Sequence, residues 1–184
     1  MKTITLNNIL IKISFLIVSI SLISCSKNNG DFIELTYGRS MNPKFPRSGI
    51  KITDENYVYY CEEMMNNRQD YYLRHHTGKY KFFKSENKVD FDKYSSLILN
   101  NFTNEIPKNY ISISDATFEQ ITYKIGKQSR KQNFYDVQLN PNQEEIYKKI
   151  WELKNKLKFK PTDSIYFSQK LLQEKLPEPP PPPK

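Results

Sequence analysis

The chain has 184 residues, with 28 Lys and Arg against 20 Asp and Glu and a formal charge of +8, the size of one ordinary domain. Hydrophobic residues reach 38% and aromatics 14%, so rings supply much of the core volume, and such a chain is not disordered throughout. Two Cys, two His and five Gly exclude a disulfide scaffold, a zinc cluster of several Cys and His ligands, and a glycine-built phosphate loop.

The first twelve residues carry Lys2 and Lys12 and no acid, and Ile13–Ile23 is an uninterrupted apolar and serine run. A basic flank before a short apolar stretch is the pattern of a secretory leader, since spanning a bilayer needs about 20 apolar residues. The run ends in Leu22-Ile23-Ser24-Cys25, which resembles the lipobox of bacterial lipoproteins. The resemblance implies that residues 1–24 are removed and that Cys25 receives the lipid and becomes the first residue of the mature chain. Two or three acyl chains hold a protein at a membrane permanently. Ser26 in place of Asp implies, on the same resemblance, the outer membrane. Removing Lys2 and Lys12 leaves 26 basic residues against 20 acids, a charge of +6.

Residues 25–31 read as a polar tether, and 32–160 as a folded domain. Phe32–Tyr37 is expected as a strand, followed by a loop with Gly38, Pro43 and Pro46. Gly49–Thr53 and Tyr57–Cys61 flank the turn Asp54-Glu55-Asn56 and read as a hairpin with Ile50, Ile52, Val58 and Tyr60 facing the core. Tyr71–His76 and Lys79–Lys84, joined at Thr77-Gly78, read as a second hairpin. Asp90 is placed to cap a helix whose stripe is Phe91, Tyr94, Leu97, Ile98 and Phe102, stopped by Pro107. Ile111 and Ile113 suggest an edge strand, and Phe118–Ile125 with Ser129–Tyr135 a hairpin turned at Gly126-Lys127. Asn140, Pro141 and Gln143 then make a capping box ahead of the stripe Ile146, Ile150, Leu153 and Leu157. Asp163 is placed to cap a C-terminal helix over 161–176, and 177–184 is a proline-rich tail of extended character. The predicted class is α+β, an antiparallel sheet of hairpins with two or three helices packed on one face.

From Phe32 to Leu157 this order resembles a family of small bacterial envelope domains of unknown function. The resemblance is carried by Pro46 ahead of Ile50-Lys51-Ile52, by Asp54-Glu55-Asn56 before Tyr57–Tyr60, by Asp115, by Gly126-Lys127 and by the closing helix. The family's Cys-x-Gly-x-Cys-Pro turn is replaced here by Met41-Asn42-Pro43-Lys44-Phe45-Pro46. The resemblance therefore implies a fold and a location, and no activity.

Candidate chemistry is sparse. His75 and His76 are strand neighbours pointing to opposite faces, so they do not jointly ligate a metal. Cys61 lies in an aromatic strand, a setting for a buried structural thiol rather than a nucleophile. No Gly-x-Ser-x-Gly elbow occurs. No cofactor and no metal site is implied. Residues 124–160 hold ten basic residues against four acids, so the whole mature surplus lies in one hairpin and one helix. Lys124, Lys127, Arg130, Lys131, Lys148, Lys149, Lys154 and Lys156 thus form a candidate surface for an anionic partner such as lipid headgroups, the plainer alternative being a solvated helix face. The sequence is read as a lipid-anchored envelope protein whose domain is a non-enzymatic binding module. Its expected partners are the membrane through Cys25 and an envelope protein or anionic lipid; nucleic acid is not expected. The alternatives are an immunity-type lipoprotein that captures a toxin, and a periplasmic hydrolase.

Overall fold

A computed structural model of the chain describes residues 30–39, 46–64, 79–106, 118–135, 138–163 and 167. Seven strands, β1 (Phe32–Arg39), β2 (Ser48–Thr53), β3 (Val58–Glu63), β4 (Tyr80–Ser85), β5 (Phe118–Ile125), β6 (Gln128–Tyr135) and β7 (Phe159–Pro161), form one sheet in the order β6-β5-β1-β2-β3-β4-β7. Every neighbouring pair is antiparallel. Strands β1 to β4 form a meander. Helix α1 (Phe91–Asn101) precedes β5 on the other side of β1, and α2 (Pro141–Trp151) with the one-turn α3 (Leu153–Lys156) leads from β6 to β7 at the far edge.

Alternation along the strands and antiparallel register align the helix-facing side chains in rows across the sheet. One row runs Tyr123, Ile33, Ile52, Val58 and the next Ile121, Leu35, Ile50, Tyr60. All eight are buried, and all but Tyr60 join Phe91, Tyr94, Ile98 and Phe102 of the α1 segment and Ile146, Ile150 and Leu153 of α2 and α3 in one core. Fully burying an aliphatic side chain of this kind contributes about 1.5–3 kcal/mol. The helix starts follow local chemistry. The Asp90 carboxylate accepts from the Lys93 N–H at 3.1 Å, and Asn140 and Gln143 exchange both capping-box bonds at 2.9 and 3.1 Å. Asn56 adopts φ 69° in the β2–β3 turn and accepts from the Phe91 N–H through its side chain, which ties that turn to the start of α1.

The expected α+β arrangement, with two or three helices packed on one face, is corrected. The fold is sheet-dominated, a seven-stranded antiparallel sheet with two short helices of 11 residues and a single extra turn. Beyond Leu157 the chain does not end a long helix but pairs Phe159–Pro161 with β4. The opposite sheet face is also lined with rings, because Tyr59, Cys61 and Phe167 pack there with Tyr57, Tyr80 and Phe82. The expected strands at Tyr71–His76 and at Ile111 and Ile113 lie outside the described residues, as do the leader, the lipobox, the proline-rich tail and all but the start and Phe167 of the C-terminal helix. Among the described residues no helix is long and apolar enough to cross a membrane.

Candidate functional site

A third row on the helix-facing side is polar. It runs Glu119, Tyr37, Ser48, Glu62 across β5, β1, β2 and β3, directly beyond the apolar row of Leu35 and Ile50. Tyr147 and Trp151 stand four residues apart on α2, with Lys154 three further on, beside the stripe that enters the core. These seven side chains and Pro46 enclose a cleft of about 280 Å³ between the helices and the end of the sheet. That is the small end of the range for ligand pockets.

The rim facing β3 is an ion-pair network. Lys154 Nζ donates to Glu62 at 2.9 Å and lies 4.5 Å from the centroid of the Tyr60 ring. The Tyr60 hydroxyl donates to the same carboxylate. Partial burial pushes the Glu62 pKa up, but the hydrogen bonds from Tyr60 and Lys154 and the charges of Lys154 and Lys81 outweigh it, so the carboxyl lies below its ordinary range. The inner wall is aromatic. Tyr147 packs edge-on against Phe134 and Trp151 at centroid distances of 5.8 and 6.2 Å. Burial first, and the adjacent Glu119 charge second, hold the Tyr147 hydroxyl protonated far above neutral pH. Neither that hydroxyl nor the buried Trp151 indole N–H makes a hydrogen bond of regular geometry with a described residue, although Glu119 and Trp151 both lie close enough to influence Tyr147.

The residues expected to form a basic surface are dispersed. Lys148 pairs with Glu144, Lys149 with Glu145 at 3.6 Å, Lys156 with Glu152 and Lys154 with Glu62, so each helical lysine has a carboxylate beside it. Lys127 is exposed in the β5–β6 turn. Arg130 lies opposite Tyr123 on the helix-facing side, whereas Lys131 lies opposite Thr122 on the other. There Lys131 acts electrostatically on Glu34, and Lys124 alternates onto that same face. Cys25, His75 and His76 lie outside the described residues. Cys61 is fully buried on the face away from the helices, and burial, with the Glu34 charge adding to it, raises its thiol pKa far from a reactive range. Among the described residues no three His, Cys, Asp or Glu side chains are grouped to hold a metal ion.

Sequence reasoning missed the cleft. Glu62 lies one residue past the expected strand Tyr57–Cys61, whereas β3 runs to Glu63, and Tyr147 and Trp151 sit one step off the aliphatic stripe. The available signal was Glu119, which shares its face of β5 with Ile121 and Tyr123 and so places an acid in line with core residues. Such local conflicts concentrate at functional sites. Comparison of the chain with protein-family models, curated proteins and solved structures returns no match.

Proposed function

We propose that this is a lipid-anchored protein of the bacterial outer membrane, acylated at Cys25, whose sheet-dominated domain is a non-enzymatic binding module. The observation that carries the binding reading is the cleft. Aromatic walls, a buried hydroxyl and an ion pair at the rim converge on one small concavity, the composition typical of recognition sites. The lipid anchor is supported by the basic flank, the short apolar run and Leu22-Ile23-Ser24-Cys25.

The two halves are tested separately. Cys25→Ala is expected to abolish acyl labelling and normal leader cleavage; a variant that is still labelled overturns the anchor. For the module, a photo-crosslinker at Ser48, in the floor of the cleft, is expected to give a discrete adduct in the native envelope. A Trp151→Ala change in the same chain is expected to remove that adduct. An adduct that survives, or none in either chain, overturns the cleft as the recognition element.

A further inference from the structure

We infer that the cleft is the seat of the chain's own proline-rich tail, residues 177–184, a reading that rests on the cleft being the recognition element. Four rings line it, those of Tyr37, Pro46, Tyr147 and Trp151, and all but Tyr147 are only half-buried. Aromatic-lined grooves take up proline-rich segments, whose extended helix is formed before docking and so loses little entropy. The tail supplies that ligand. Six of its eight residues are proline, five of them consecutive from Pro179 to Pro183. Proline has no backbone N–H, so this run cannot extend the sheet at an open edge, and ring against ring is the burial left to it. The course of the chain carries it there. Ser48 and Glu62 form the rung of the sheet that lines the cleft, and Gly49 and Cys61 form the next. Phe167, the last described residue, packs on Cys61 from the face away from the helices, and its ring lies 3.3 Å from where a Gly49 Cβ would stand. The chain is thus left one rung from the cleft, with the sheet between. Layers packed on a sheet stand about 10 Å from it, so its two flanks are about 20 Å apart. Phe167 to Pro177 is ten residues, a reach of up to about 33 Å, enough to round the end of the sheet where β2 begins and β3 stops. The tail is then an internal competitor, and a partner enters the cleft by displacing it.

Trp151 is the single tryptophan of the chain and lines the cleft, so its emission reports occupancy. The full-length protein in a nonionic detergent is compared with a variant lacking residues 177–184, a deletion that removes no residue of either core cluster. Both are titrated with the acetylated peptide of residues 177–184, and with the same peptide carrying Pro179→Gly, Pro181→Gly and Pro183→Gly. The variant is expected to differ from the parent in Trp151 emission, and the proline peptide to restore the parental spectrum with saturation. The substituted peptide is expected to bind about tenfold more weakly, because glycine gives up the preformed helix. A short tether supplies an effective concentration of about 1 mM, so the parent is expected to need about tenfold more peptide than the variant. With a photo-crosslinker at Ser48, the purified parent is expected to give a link to residues 177–184 within one chain. Unchanged emission in the variant, no saturable response, equal binding of the two peptides, equal demand for peptide by both chains, or a link that joins two chains, the mark of a second copy's tail, overturns the inference. A discrete Ser48 adduct with an envelope partner alongside any of these would leave the cleft a recognition element for a ligand of another kind, so the two failures are distinguishable.

Discussion

Glu34 and Lys51 face each other across β1 and β2 at 3.4 Å, with the glutamate only 2% exposed and the lysine ammonium 4.2 Å from the Phe32 ring centroid. Burial raises the Glu34 pKa, and the Lys51 charge and hydrogen bond recover only part of the cost. A carboxyl whose pKa is higher folded than unfolded penalises the native state as pH rises through that interval, and adds no penalty below it. The parent should therefore lose stability as pH rises above about 4 through the folded value, and that part of the pH dependence should be absent in Glu34→Gln, whose unpaired Lys51 carries a separate cost at every pH; denaturation midpoints at several pH values check this. Glu62 has the opposite sign. Its lowered pKa gives a contribution present above the ordinary carboxylate range and lost as pH falls through the folded value. Tyr80, on the other face, is pushed up to about 12, first by burial and then by the Glu63 charge. Spectrophotometric titration of the tyrosines should accordingly show a group ionising well above the ordinary value of about 10. At this scale the sequence was informative about hydrophobes and uninformative about acids. Ile50, Ile52 and Val58 declared their face by alternation, while the burial of Glu34 depends on a cross-strand lysine that only the register supplies.

Elements with local start signals were legible. The α2 capping box is present as Asn140, Pro141 and Gln143 imply, and Asn140→Ala should lower stability by about 1 kcal/mol. Leu153, 6% exposed at the start of α3, should cost about 2–5 kcal/mol on truncation to alanine; chemical denaturation of both variants checks the pair. An unmoved midpoint in Leu153→Ala would show that the turn after α2 does not seal the core. Strand β7 was not legible, for a physical reason. Three residues ending in proline carry no alternation, and their partner β4 lies far upstream. The balance of sheet over helix was hidden for a related reason. Tyr and Phe fall on both faces of β3 and β4, so periodicity does not reveal that the sheet is buried on two sides.

Across the whole molecule, the charge surplus behaves differently from its position in the sequence. The α2 and α3 lysines are answered by glutamates on or beside their helices, and the β5–β6 hairpin distributes its cations between two faces. Exposed pairs of this kind contribute little to stability. Lys148→Ala and Lys149→Ala are each expected to change the unfolding free energy by less than about 0.5 kcal/mol, read from chemical denaturation.

Strand β1 lies between β2 and β5, hydrogen-bonded along both edges, and its first residue, Phe32, follows shortly after the proposed acylation site at Cys25. A pull applied through residue 25 would therefore load the interior of the sheet along the strand axis. In that direction the ladders on both sides must slide together, instead of opening one bond at a time as they would if an outer strand were peeled away. Pulled from residue 25 against Ser48, at the opposite end of neighbouring β2, the domain should yield at a higher force than when outer strand β6 is peeled from the sheet, and single-molecule extension in the two geometries would measure the difference. With Cys25 acylated as proposed, the way the chain enters its sheet would let the domain resist a pull from its own anchor.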